Sequence, residues 1–155
     1  MDTGSDTETD TGDFRVDTDY SLADAITDAN NTPGHQTITI EPGWTTMLST
    51  TLPTITETVT IIGAGNLIDG SGTGGQADCM RIASDDVYVS GLEINNCAAT
   101  PIDIESGINT QITDCIFRDN GAPLSCSSVD GSNIPGSFNT IENSLDSGIT
   151  STWFI

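Results

Sequence analysis

Residues 79–126, CMRIASDDVYVSGLEINNCAATPIDIESGINTQITDCIFRDNGAPLSC, repeat a short pattern at a nearly constant step. The first set of matching blocks is Met80-Arg81-Ile82, Ile102-Asp103-Ile104 and Leu124-Ser125-Cys126, with a step of 22 residues. The second set pairs Val87, Val89, Leu92 and Ile94 with Thr110, Ile112, Cys115 and Phe117, 23 residues later. Apolar and polar residues alternate within the blocks, as in half-buried strands. Short strands repeating at this distance, with turn residues between them, predict a parallel solenoid of stacked coils.

One amphipathic helix is predicted ahead of the repeat, at about 21–30. Ser21 is a favourable N-cap residue, and Asp24 stands three positions later, as in a capping box. The residues that form one apolar stripe along this helix are Leu22, Ala25, Ile26 and Ala29. A helix this short is marginally stable alone, so we expect its stripe to cap the first coil of the solenoid.

The rest of the chain divides into an acidic leader and one solenoid domain. Residues 1–13, MDTGSDTETDTGD, have no apolar residue after Met1 and predict a disordered acidic Asp/Thr-rich tether. Residues 14–155 predict one β-helix domain with coils at about 37–149. Strands are expected at 37–40, 51–56 and 58–62, and Gly63-Ala64-Gly65 is expected to form a turn. The fold class is therefore all-β with one short helix.

The composition excludes some partners. The chain has 23 acidic residues against three arginines and no lysine, for a net charge of −20. Such a surface repels nucleic acid and anionic membranes, which bind through basic residues. The sequence contains no apolar run long enough to span a bilayer. No cofactor is predicted, and calcium is the one ion whose binding the acidic residues leave open.

The four cysteines predict an oxidising environment rather than a zinc site. Cys79, Cys97, Cys115 and Cys126 form no C-x-x-C motif, and His35 is the only histidine. Cys79 and Cys97 lie near turns of adjacent coils and are the preferred disulfide pair. Cys115 and Cys126 fall on inward columns of the repeat, where a thiol acts as a small apolar side chain.

The segment from Tyr20 to Ile38 resembles the N-terminal motif of exported right-handed parallel β-helix proteins of the pectin-lyase-like type. The similarity continues through 52–63 and 68–72 and covers roughly residues 14–120. The residues that carry the resemblance are Ser21-Leu22-Ala23-Asp24-Ala25-Ile26, Ala29-Asn30, Pro33-Gly34 and Thr37-Ile38, with Ala23-Asp24 where that family has Arg-Glu. The leader is similar to the Asp/Thr-rich tethers of bacterial lipoproteins. The resemblance implies an extracellular or cell-surface protein, lipid-anchored through a removed N-terminal region, with the helix capping the solenoid. It implies no single reaction, because this fold carries adhesins as well as carbohydrate-active enzymes.

Candidate catalytic and metal-binding groups are few. Arg118 with Asp119, Asp114 and Asp103 could form the base and carboxylates of a polysaccharide lyase. Asp85-Asp86 could bind a metal ion. However, adjacent strand residues point to opposite faces, and the pair is more typical of a turn. Arg81 is expected to form an ion pair with Asp103 on the next coil.

An open solenoid end exposes core and backbone groups, and the C-terminal triplet Trp153-Phe154-Ile155 is strongly apolar. The triplet could fold back over the last coil as a plug, but self-association with another subunit is the preferred expectation. The main functional prediction is therefore a secreted or cell-surface binding or structural module, self-associating through the last coil or binding a glycan. The alternative is a carbohydrate-active enzyme, a polysaccharide lyase or glycoside hydrolase, acting on an acidic glycan.

Overall fold

The chain forms a parallel β-solenoid of about five turns with one short helix. The computed structural model describes residues 12–75 and 77–122, and the backbone of short strands at 125–126, 140–142 and 150–151. The elements are β1 (Asp13–Val16), α1 (Leu22–Asn31), β2 (Gln36–Ile40), β3 (Thr45–Met47), β4 (Val59–Asp69), β5 (Met80–Ala83), β6 (Tyr88–Asn95), β7 (Ile102–Ser106), β8 (Gln111–Thr113), β9 (Ile116–Arg118), β10 (Ser125–Cys126), β11 (Thr140–Glu142) and β12 (Thr150–Ser151). Residues 1–11 of the predicted tether lie outside this description.

Two parallel sheets run along the solenoid. The main path of the eight-stranded sheet is β1-β2-β4-β6-β9-β11, with β3 on β4 and β8 on β6, and the four-stranded sheet has the order β12-β10-β7-β5. The register follows the repeat, because Ile82 pairs with Ile104 and Ile104 with Cys126. In the other sheet Val89 pairs with Ile112. The 22- and 23-residue steps therefore correspond to stacking of one coil on the next.

The corners between strands repeat at the same step. Asp86 and Asn109, 23 residues apart, both have positive φ angles, of 51° and 59°. Asn96 and Asp119 form a second such corner, with φ angles of 58° and 53°. Asn and Asp tolerate this left-handed conformation better than other residues with a Cβ atom. The sharp bends of successive coils can therefore lie above one another.

The structure modifies two of the strand predictions. Gly63-Ala64-Gly65 bends the chain without ending a strand, since β4 continues through it with a register shift between Ile62 and Asn66. The strand expected at 51–56 is reduced to a single bridge between Ile55 and Ile82.

The interior is a continuous column of aliphatic side chains. Ile38, Ile61, Val89 and Ile112 are each at most 1% exposed and stack in register across four coils. Buried asparagine joins coils at the turns. For example, the Asn120 side chain accepts from the Cys97 backbone N–H and donates to the Ile94 carbonyl. Such bonds satisfy main-chain groups that a bend leaves outside the strand ladder.

Helix α1 packs beside the first strands. Ser21 is its N-cap, and the Ser21 Oγ accepts from the backbone N–H of Asp24 at 3.1 Å. The four residues of the predicted stripe are all buried: Leu22, Ala25, Ile26 and Ala29. The helix contacts β1 and β2, so its apolar side joins the solenoid core.

We predict that Ile26→Asp lowers the free energy of unfolding by about 3 kcal/mol, because it places an unpaired charge among apolar side chains. Ile26 is 1% exposed. Urea melts measure the effect. Thr27→Asp, at an exposed position of the same helix, is the matched control. An equal midpoint for Ile26→Asp and Thr27→Asp would contradict the packing of α1 on the core.

Candidate functional site

The outer side of β2, of residues 59–62 of β4, of the first half of β6 and of β8 presents two columns of side chains across four coils. Their inward neighbours along the strands are the buried aliphatic residues of the core. The first column contains Thr37, Thr60, Tyr88 and Gln111, and the second contains Thr39, Ile62, Ser90 and Thr113. We call these eight residues the Tyr88 face. Because coils stack about 4.8 Å apart, each column repeats a side chain at that spacing.

The Tyr88 face carries hydroxyl, amide, phenol and aliphatic groups but no charge. Among the described residues, charged side chains enter the same columns beside the first coil, where Asp13 pairs with Thr37 and Arg15 with Thr39. Arg15 is held there by an ion pair with Glu41. A ligand on the middle of the face would therefore meet neutral hydrogen-bonding groups, with the exposed Asp86 carboxylate beside Asn109 at the edge of the face.

Tyr88 is oriented by neighbours on other coils. The Asn109 side-chain Nδ2 donates to the Tyr88 hydroxyl at 3.0 Å and to Asp86 Oδ1 at 2.6 Å. On the opposite side the His35 ring lies 6.0 Å from the Tyr88 ring, centroid to centroid. His35 Nε2 is in turn 2.8 Å from the Thr60 hydroxyl. The half-buried phenol ring is thus positioned before any ligand arrives, which lowers the entropy lost on binding.

A shallow groove of about 310 Å³ continues the face at the first coils. The residues that line it are Asp13, Phe14, Arg15, Thr37, Thr39, Glu41 and Pro42. Its volume lies at the lower end of the range for small-molecule sites, roughly 300–1,000 Å³. Thr37 and Thr39 belong to both the groove and the Tyr88 face, so the two form one continuous surface.

All three arginines are engaged by carboxylates. Arg15 pairs with Glu41, Arg81 with Asp78 at 2.9 Å, and Arg118 with Glu93 at 2.9 Å. Arg81 also lies 3.7 Å from Glu105. The hydrogen bond to Asp78 is the main reason that the pKa of Arg81 is raised, and Asp103, its expected partner, adds only a weak charge interaction.

The predicted lyase cluster is divided between two sheets. Arg118 lies on β9 of the eight-stranded sheet, whereas Asp103 lies on β7 of the four-stranded sheet. Asp114 and Asp119 occupy corners with φ angles of 53°. Arg118 instead forms a salt bridge with Glu93, which lies on β6 of the preceding coil.

Asp85 and Asp86 lie in the turn before β6. Asp85 Oδ1 accepts from the Ile108 backbone N–H at 2.9 Å. Asp86 Oδ1 accepts from the Asn109 side-chain Nδ2 at 2.6 Å. Both carboxylates thus connect this turn to the equivalent turn of the next coil. In residues 12–75 and 77–122 no group of three or more His, Cys, Asp or Glu side chains is arranged to hold a metal ion.

The cysteines occupy two kinds of position. Cys79 and Cys97 form a disulfide, with Cα atoms 5.6 Å apart, which joins the turn before β5 to the turn after β6. Cys115 is buried on the inner column, and its thiol donates to the Thr113 carbonyl at 3.2 Å. Burial raises the pKa of Cys115 to about 11. The side chain of Cys126 lies outside the described residues.

Sequence reasoning did not identify Tyr88, His35 and Asn109 as a group. Thr37 precedes Thr60 by 23 residues and Tyr88 precedes Gln111 by 23, but Thr60 and Tyr88 are 28 apart. The intervening coil contains the turn-rich stretch 70–78, which interrupts the constant step. The 23-residue step on either side of this coil is the signal that could have aligned the column.

The comparisons with known proteins give no family. The chain matches no family model, no curated protein and no solved structure. Trp153, Phe154 and Ile155, the expected association residues, lie outside the described part of the chain. Within that part, no helix is both long enough and apolar enough to cross a membrane.

We predict that replacing both cysteines of the disulfide, Cys79→Ala with Cys97→Ala, lowers the free energy of unfolding by about 3 kcal/mol. The two cysteines are 18 residues apart, so the bond restricts a loop of that size in the unfolded chain. Urea melts with and without dithiothreitol measure the loss. Dithiothreitol should lower the midpoint of the wild type but not of the variant. A variant as stable as the oxidised wild type would contradict the prediction.

We also predict that Cys115 resists alkylation in the folded protein. With a thiol pKa of about 11, only about one thousandth of Cys115 is thiolate at pH 8, and burial hinders the reagent further. Unfolding in urea returns the pKa to about 8.5 and should accelerate labelling by iodoacetamide. Peptide mapping by mass spectrometry distinguishes Cys115 from Cys126. Equal rates in buffer and in urea would contradict a buried thiol.

Proposed function

We propose that this chain is a secreted or cell-surface binding module, a right-handed parallel β-helix of the pectin-lyase-like type capped by helix α1. Its ligand surface is the Tyr88 face, and its ligand is an uncharged glycan. The resemblance of residues 20–38 to exported β-helix proteins supports the fold type and the location. The polar chemistry of the face supports the ligand class.

The observation that carries the proposal is the fixed, half-buried ring of Tyr88 in a hydroxyl-rich face whose eight residues carry no charge. A sugar ring has an apolar C–H side and a rim of hydroxyl groups. The C–H side can pack on an aromatic ring, and the hydroxyl groups can exchange hydrogen bonds with side chains such as Thr60 and Gln111. Asn109 donates to the Tyr88 hydroxyl and the His35 ring packs near the Tyr88 ring, so both restrict the orientation of the phenol. An aromatic platform flanked by neutral donors and acceptors fits a neutral sugar.

The geometry of the columns supports a polymer rather than a single sugar. The Tyr88 face crosses four coils, so at about 4.8 Å per coil it extends over roughly 15 Å. The groove beside Phe14 and Arg15 lengthens it at one end. A glycan lying along the solenoid axis would meet similar groups at regular intervals.

The charge distribution argues for a neutral ligand. An acidic glycan would need cationic groups, and the three arginines are already paired with carboxylates. A polysaccharide lyase or glycoside hydrolase acting on an acidic glycan is the competing function. It would require the carboxylates to hold a metal ion, or to face one glycosidic bond. The binding experiment below distinguishes the two.

We expect Tyr88→Ala to weaken binding of neutral polysaccharides at least tenfold, a loss of about 1.4 kcal/mol, because the stacking platform is removed. Tyr88→Phe should lose less, since the ring stays and only the hydroxyl contact with Asn109 disappears. A panel of neutral and acidic glycans identifies the ligand, and calorimetry on the full chain gives the affinity.

Met47→Ala is the matched control, because Met47 is 63% exposed but lies outside the two columns of the Tyr88 face. It should bind like the wild type. Binding confined to acidic glycans, or equal affinity for Tyr88→Ala and wild type, would contradict the proposal. Release of unsaturated product from an acidic glycan, abolished by Arg118→Ala, would favour the lyase.

A further inference from the structure

Strand β3 has a neighbouring strand on one side only. It pairs with β4 and with no other strand among the described residues, so it lies at an edge of the eight-stranded sheet. Just after β3, the Leu48 N–H donates to the Asp69 carbonyl of β4 at 2.9 Å. The backbone groups of successive strand residues point to opposite sides, so those of Thr45 and Met47 face away from β4.

This outer edge of β3 is accessible. Among the described residues, no hydrogen bond involves the backbone N–H or C=O of Thr45 or Met47 on the side away from β4. The side chain of Thr45 is exposed, and Met47 is 63% exposed. Thr46 points inward beside Ile68 but is only half-buried, whereas Ile68 is 1% exposed. The core side of β3 is therefore less completely covered than the coil below it.

The edge also lacks the features that usually prevent strand addition. Exposed edges are commonly protected by charged side chains, proline or a bulge. Residues 44–48, WTTML, contain neither a charged residue nor a proline. By contrast β1, at the end of the main path of the same sheet, carries Asp13 and Arg15. An unprotected edge of this kind can accept an extended peptide as an additional strand.

Charge decides between the possible occupants of the edge. A second copy of the chain would bring a further charge of −20, and residues 1–11 carry only acidic charges, at Asp2, Asp6, Glu8 and Asp10. Both would be repelled, whereas a cationic segment would be attracted. The nearest side chain to Met47 in its outward column is the carboxylate of Asp69. We infer that the free edge of β3 is a docking site for an extended segment of another protein that carries lysine or arginine.

The register of β3 defines the pattern of that segment. In a segment parallel to β3, the residue that faces Thr46 would donate to the Thr45 carbonyl and accept from the Met47 N–H. Its side chain would point inward and should be apolar. Its two neighbours would lie on the outward side, beside Thr45 and Met47. A lysine beside Met47 would pack its methylene groups on that side chain and direct its ammonium group towards Asp69. The expected pattern is basic, apolar, basic.

A short peptide tests this docking on the full chain. Acetyl-Thr-Lys-Val-Lys-Thr-amide should bind and shift the backbone amide NMR signals of Thr45 and Met47, with an affinity that falls as salt is added. Methylation of the valine amide nitrogen removes the donor to the Thr45 carbonyl and should weaken binding roughly tenfold. Methylation of the second lysine amide is the matched control, since that N–H faces solvent. The peptide with glutamate in place of lysine should not bind.

Variants of the protein test the same contacts from the other side. Met47→Pro removes the N–H on the free edge and leaves the bonds to β4, a position at which edge strands accept proline. It should abolish peptide binding and leave the urea midpoint close to that of the wild type. Thr45→Pro replaces it if Met47→Pro does not fold. Asp69→Asn should weaken binding several-fold, whereas Asp114→Asn, which removes an exposed charge at a distant corner, should not.

Loss of binding on valine methylation but not on lysine methylation supports the inference. No binding of the lysine peptide, or equal binding of the two methylated peptides, would contradict strand addition, and equal binding of the glutamate peptide would contradict a cationic partner. Without peptide, the Thr45 and Met47 amides should exchange hydrogen rapidly. Protection that increases with protein concentration would assign the edge to a second copy, and protection at every concentration would assign it to residues 1–11. Since β3 lies outside the Tyr88 face, either result leaves glycan binding untouched.

Discussion

The backbone hydrogen-bond ladder between coils is the interaction on which the rest of this molecule depends. Most strands have only two to five residues and would not be stable alone. Parallel pairing with the coils above and below satisfies its N–H and C=O groups and fixes which side chains point inward. The aliphatic column, the charge pairs across coils and the Tyr88 face all follow from that register. Because each coil contacts only its neighbours, the ladder must also be terminated at both ends.

The parts of the structure that could be predicted are those that the local periodicity of the sequence determines. The alternation in 80–82 and 102–104 places Ile82 and Ile104 inward, and a constant step makes them neighbours in the ladder. Helix α1 was predictable for a similar reason, since its N-cap and apolar stripe lie within ten consecutive residues. Such signals require no knowledge of distant contacts.

The candidate site required knowledge that periodicity alone does not contain. His35 reaches Thr60 across 25 residues, and Thr60 and Tyr88 belong to coils of unequal length. A constant step of 23 residues would align Thr60 with Ala83, whereas the structure pairs Thr60 with Tyr88, because the coil between them is five residues longer. Arg81 shows a related effect. Its partner is not Asp103 on the adjacent strand but Asp78, which the bend before β5 brings close.

The positions of the three arginines also affect the susceptibility of the protein to proteolysis. Trypsin-like enzymes cleave after basic residues and need the chain around the cut to be extended and unpaired. With no lysine, this chain offers them only Arg15, Arg81 and Arg118. Those residues lie on β1, β5 and β9, strands paired in the ladder, and each side chain is bound to a carboxylate. Cleavage would require local opening of a coil. The folded solenoid should therefore be cleaved more slowly by trypsin-like enzymes than proteins whose basic residues lie in flexible segments.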